Sequence, residues 1–167
     1  MLVVSLDQLL AESMVYINID KDYLFFSSIH HNHTVLVQLP MCRAKISKDV
    51  MKILSIDPRI RVFEEQVAEY IGTKYPGINV VVSENHIRTS FDKTACTWFD
   101  EDTNPVDITK MPHANLLNDE FSCVPILAIH GVDLSNGIHI IDFEIIQVQY
   151  IHFRAPTLPD LSKPLFI

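Results

Sequence analysis

Apolar and polar positions alternate with period two over much of this chain and shift to a helical period after Ser47. Residues 14–19 (MVYINI), 23–29 (YLFFSSI) and 34–39 (TVLVQL) are short runs rich in β-branched and aromatic side chains, separated by the polar turns DKD and HHNH. Such runs suit pleated, half-buried strands, and the short spacers predict a meander that Pro40 closes. Ahead of them, Ser5 and Gln8 have capping-box spacing and predict a short helix through Leu9, Leu10 and Ala11.

After Ser47, Val50, Met51, Ile53 and Leu54 fit a short helix. Asp57 and Pro58 then offer an N-cap and a first-turn proline for a second helix, with Ile60, Phe63, Val67, Tyr70 and Ile71 as its apolar face. Gly72 is the expected residue past its end, and Pro76-Gly77 marks the return to extended chain. Residues 78–83, 86–91, 95–99 and 123–130 read as strands again, while 100–122 reads as an acidic, proline-containing loop. In 138–153 the apolar parity runs through Ile141, Phe143 and Ile145, then switches to Ile146, Val148 and Tyr150, and switches again at Ile151 and Phe153. A strand that changes its buried face needs a bulge, a bend or burial of both faces at the crossover, as the corners of a small coiled barrel provide and as a two-sided sandwich strand would also satisfy.

The expected class is therefore α+β, mainly β. The expected architecture is a small barrel, or else a two-sheet sandwich, with a helical insertion at 47–72 between the third and fourth main strands. One domain is expected over 1–154. Residues 155–167 carry Pro156, Pro159 and Pro164, which predicts an arm, and the apolar end Leu165, Phe166, Ile167 gains by docking on this domain or on a protein partner.

Composition narrows the function by exclusion. The chain has 167 residues, 48% of them hydrophobic and 20% charged, which fits one globular domain with a real core. No apolar run reaches the roughly 18 to 20 residues of a membrane span, and no basic segment precedes the first apolar stretch, so neither a membrane helix nor a secretory leader is expected. Three widely spaced cysteines, Cys42, Cys96 and Cys123, form no disulfide framework or metal knuckle and fit a reducing, intracellular setting as buried small apolar groups. With four glycines in all, neither a Walker A loop nor a G-x-G-x-x-G fingerprint can be written, so no nucleotide cofactor is expected.

Candidate chemistry is sparse. His30, His31 and His33 lie close together, but nothing nearby completes a metal-ligand set, and a polar hairpin tip accounts for them. The segment DEDTNPVD lacks the glycine and terminal glutamate of a calcium loop, so a solvated acidic loop is expected. No cysteine sits in a nucleophile turn, and no enzyme is expected. A hydrolase would need His113 or His130 within reach of Asp102 or Asp107.

Charge is unevenly placed. Arg43, Lys45, Lys48, Lys52, Arg59 and Arg61 face only Asp49 and Asp57 in residues 43–61, whereas 92–120 is strongly acidic and the whole chain carries a formal charge of −8. A basic track combined with ring faces is what single-stranded nucleic acid requires. Arg43, Lys45, Lys48 and Lys52 are the expected phosphate contacts. Arg88, Trp98 and Phe99 are the expected base-facing surface, with Tyr23, Phe25 and Phe91 as further candidate platforms.

The segments HIRTSFD at 86–92, FDEDTNPVDI at 99–108 and CVPILAIHGVDLSNGIHIIDFEIIQVQY at 123–150 resemble the C-terminal part of the single-stranded-DNA-binding proteins of large eukaryotic DNA viruses. That resemblance implies an OB-like barrel, a non-catalytic single-stranded nucleic-acid-binding function, and a setting in the virion or the infected cell. The alternative expectation, from the acidic charge and the apolar terminus, is a structural or assembly protein, such as a minor capsid or scaffold component, that docks and oligomerises through its arm.

Overall fold

The computed structural model describes residues 3–11, 15–28, 33–92, 94–108, 120–135, 137–151, 158–164 and 166–167. It is mainly β. The elements are β1 (Val3–Ser5), α1 (Leu6–Ala11), β2 (Val15–Asp20), β3 (Tyr23–Ser28), β4 (Val35–Gln38), β5 (Cys42–Ser47), β6 (Val50–Ile53), α2 (Pro58–Lys74), β7 (Val80–Val81), β8 (Ile87–Phe91), β9 (Thr97–Phe99), β10 (Pro105–Val106), β11 (Phe121–Asp133) and β12 (His139–Ile151).

Two long antiparallel strands, β11 and β12, form the spine. Along its outer edge β11 takes β5 at 121–123, β4 at 126–129 and β3 at 131–133 in turn, all antiparallel. Along its own outer edge β12 takes β7, β8 and β9, all parallel. The pairings β5–β6, β6–β8, β8–β12, β12–β11 and β11–β5 close into a ring. Its inner side is filled by Ala44, Ile46, Met51, Ile53, Ile87, Phe91, Cys123, Leu127, Phe143, Ile145 and Val148.

The expected parity switch has its cause in a bulge. Ile126 faces Gln147 and Leu127 faces Ile145, so Ile146 is the extra residue, and the buried positions move from Ile141, Phe143 and Ile145 to Val148. A second bulge lies at His130, between Ile129, opposite Phe143, and Gly131, opposite Asp142. A side chain at Gly131 cannot fit. A Cβ there would stand 1.8 Å from the Leu24 carbonyl oxygen and 2.7 Å from the Tyr23 ring.

Local signals at helix starts hold. Ser5 and Gln8 cap α1 reciprocally, with Ser5 N–H donating to Gln8 Oε1 at 2.9 Å and Gln8 N–H to Ser5 Oγ at 3.3 Å. Asp57 caps α2, accepting the Arg59 N–H at 2.9 Å, with Pro58 opening the helix. Ile60, Phe63, Val67 and Ile71 are buried as the pattern requires, together with Glu64. The Glu64 carboxylate receives the Ser83 N–H at 3.0 Å and the Ser83 hydroxyl at 2.8 Å. Burial raises its pKa despite those two bonds.

Four expectations change. Residues 50–53 are a strand, not a helix: they pair with 44–47 across a two-residue turn in which Lys48 has φ of 56°. The positions Val50, Met51, Ile53 and Leu54 fit either period, and pairing with β5 decides it. The helical insertion is accordingly α2 alone. The meander also breaks, because β4 pairs with β1 and β11 and not with β3, the long β11 edge having room for both. Finally, α2 runs through Gly72 to Lys74, with Gly77 taking the left-handed conformation (φ 98°) instead, and Tyr70 is exposed. Among the described residues of 155–167 there is neither strand nor helix.

Candidate functional site

On β5, β6 and β8 the alternation turns Ala44, Ile46, Met51, Ile53, Ile87 and Thr89 inward, which forces the intervening residues outward. Lys45 is the register partner of Lys52, and Lys52 of Arg88, so three cations stand directly opposite one another across three adjacent strands. Among the described residues none of the three is ion-paired. Like charges placed directly opposite destabilise a sheet, so this row carries a cost that an anion laid along it relieves.

The arginines of 43–61 are engaged by partners. Arg43 is ion-paired to Glu120. Arg59 is held by Asp57 at 2.8 Å and Asp7 at 3.0 Å, and the Arg59 guanidinium keeps the Asp57 carboxyl below the usual carboxylate range. Arg61 donates to the Glu84 carbonyl. Lys48 stays exposed at the β5–β6 turn, one end of the basic face.

From Arg88 the face runs into an open groove of about 680 Å³. Asp49, Val50 and Ser90 line one wall, and Ile138, Ile140 and Asp142 the other. The groove is bounded by the β5–β6 turn and by the connection between β11 and β12. Ile138, Ile140 and the register partner of Ile140, Val81, are exposed apolar residues at this end. Asp142 accepts the Tyr23 hydroxyl at 2.6 Å, a bond made across Gly131, whose missing side chain leaves room for the tyrosine ring. Burial, with the adjacent Asp142 carboxylate, raises the Tyr23 pKa and keeps it a donor. Phe25 packs against Tyr23 with ring centroids 4.5 Å apart and planes tilted by 42°, and is 47% exposed.

The aromatic expectations are corrected. Trp98 is 3% exposed: β9 parity points it inward in register with Val148, where it meets Phe91 edge-on at 6.1 Å and Phe121 at 5.8 Å. Its indole N–H is buried with no partner among the described residues. Trp98 and Phe91 are core and present no stacking face, and Phe99 is half-buried. Among the described strand side chains, Phe25 is the aromatic left exposed. The signal for this was in the sequence, since Thr97, Trp98 and Phe99 leave the parity open but Tyr23-Leu24-Phe25-Phe26 places Leu24 and Phe26 on one side and Tyr23 and Phe25 on the other.

His130 Nε2 lies 2.5 Å from Glu144 Oε2, not beside Asp102 or Asp107, and His113 lies outside the described residues. Asp100 instead folds the acidic loop on itself, its Oδ1 accepting the N–H groups of Asp102 and Asn104 at 2.9 and 2.8 Å. His30 and His31 lie outside the described residues, as does Leu165; His33 is exposed. Leu158, Leu161, Phe166 and Ile167 of the arm are exposed. Among the described residues no helix is long and apolar enough to cross a membrane, and no cluster of ligating side chains could hold a metal. No protein-family model, curated protein or solved structure matches this chain.

Proposed function

We propose that this chain is a non-catalytic single-stranded nucleic-acid-binding protein built on an OB-like barrel, of the viral kind that residues 86–150 resemble. The observation that carries the reading is the unneutralised row Lys45, Lys52, Arg88 leading into a groove. Numbered along the chain, the ring strands are β5, β6, β8, β11 and β12, and they close with the fourth and fifth exchanged. An OB fold is a five-stranded Greek-key barrel that binds oligonucleotides on the face of its second and third strands, between the first hairpin loop and the loop joining strands four and five. Lys52 and Arg88 stand on that pair of strands, and the groove lies between those two loops. In this reading the row and Lys48 bind phosphates, Ile138 and Ile140 receive base faces, Phe25 stacks at the far end, and Asp142 accepts from base amino groups. Arg43, neutralised by Glu120, contributes little.

The test is fluorescence anisotropy with a labelled oligothymidine. Four phosphate contacts on a single strand give a log–log salt slope of about −2.8, so affinity falls about 50-fold between 50 and 200 mM salt. Replacing Lys45, Lys52 and Arg88 together by Ala flattens that slope. No binding tighter than about 10⁻⁴ M at 50 mM salt removes the reading.

The exposed Leu158, Leu161 and Phe166 favour a second reading, assembly through the arm. Light scattering decides it: the full chain self-associates and a chain ending at 154 does not. Monomers in both cases exclude this reading.

A further inference from the structure

The ring is closed on one side by a short seam in which β11 meets β5 through three residue pairs, Phe121 with Ala44, Ser122 with Arg43 and Cys123 with Cys42. The last pair places two cysteines directly opposite each other, with both side chains turned to the inner face: Cys123 is fully buried and Cys42 half-buried. Directly opposed residues of an antiparallel pair have Cα atoms about 4.5 to 5.5 Å apart, inside the range a disulfide spans. The third cysteine, Cys96, is buried beside β9 and has no such opposition.

We propose that Cys42 and Cys123 are a reversible dithiol–disulfide pair that staples the β5–β11 seam when the protein meets a disulfide oxidant such as oxidised glutathione. The chemistry is ordinary thiol–disulfide exchange. Cys42, the solvent-accessible member, loses its proton, and its thiolate attacks one sulfur of the oxidant, expelling one glutathione thiolate and leaving a mixed disulfide. Cys123 then loses its proton and attacks Cys42 Sγ, expelling the second glutathione. One protein disulfide forms, two electrons pass to the oxidant, and two molecules of glutathione leave. The environment favours this division of labour. The hydrogen bond from Cys123 lowers the pKa of Cys42, whereas that same bond and burial raise the pKa of Cys123.

The experiment treats the full chain, folded, with oxidised glutathione, then denatures it and counts free thiols by maleimide–polyethylene glycol gel shift. Untreated protein takes three adducts; the oxidised monomer takes one, and oxidised Cys96→Ser takes none. Dithiothreitol restores all of them. Peptide mapping of the oxidised wild type finds Cys42 linked to Cys123, a readout that depends on no variant. Because the bond closes a long loop, oxidation raises the melting temperature by about 10 °C, and Cys42→Ser abolishes the rise. Three adducts after oxidation, a bridge that includes Cys96, or a bridge found only between chains overturns the proposal.

Discussion

Lys52 is the middle of the cation row, and its environment makes opposite demands of stability and binding. Its two cross-strand neighbours, Lys45 and Arg88, repel it, while the proposed ligand needs all three. Lys52→Glu converts two repulsive pairs into attractive ones, each worth roughly 0.2 to 1 kcal/mol. The variant should therefore melt about 2 to 5 °C higher by calorimetry while losing oligonucleotide affinity. A variant that loses stability along with binding would show that the lysine stem serves packing and that repulsion is not the governing term. Trp98 makes the complementary point: its ring is worth more as core against Phe91 and Phe121 than as an open platform, which explains why an indole N–H goes without a partner among the described residues.

The helix α2 is the element whose beginning is most sharply specified, by Asp57 and Pro58 together. Asp57 both caps the helix and holds Arg59, and its pKa is lowered first by the hydrogen bond from that guanidinium. A carboxylate whose folded pKa is depressed contributes stability that is present above its unfolded value, near 3.9, and is lost as pH falls through the folded one. Asp57→Ala should cost about 1 kcal/mol at pH 7, and the difference from wild type should shrink below about pH 4. Urea unfolding at pH 7 and pH 3 measures it; a gap that is the same at both values would contradict the cap's dependence on charge. The β5–β6 hairpin is the opposite kind of element. The residues of β6 fit two periods, and pairing with β5 on one side and β8 on the other makes them a strand.

The closed ring distributes stability unevenly. The β11–β12 spine is paired over most of its length, whereas β8 joins β12 through two residue pairs and β5 joins β11 through three. Amides of β8 should therefore lose protection at lower denaturant than those of Ile126–Ile129 in β11, as native-state hydrogen exchange will read. Simultaneous loss would mean that the ring opens only as a unit. This unevenness places the cation row on the less firmly held side of the ring, where strands can adjust to a ligand. It also gives the Cys42–Cys123 pair its position at a seam. The overall charge of −8 opposes approach by a polyanion, so attraction is confined to the β5–β6–β8 face.

The mainly β class, the start of both helices and the change of buried face after Ile145 were all legible before any contact was known. Each depends on periodicity or on hydrogen bonds made within a few residues, and such signals are carried by neighbouring positions. The strand state of 50–53, the departure of β4 from β3 and the inward turn of Trp98 were not legible, nor was the alignment of Lys45, Lys52 and Arg88 or of Cys42 and Cys123. These follow from register between strands far apart in the chain, and the one-residue step that decides which face a side chain takes is fixed only when the partner strand is in place.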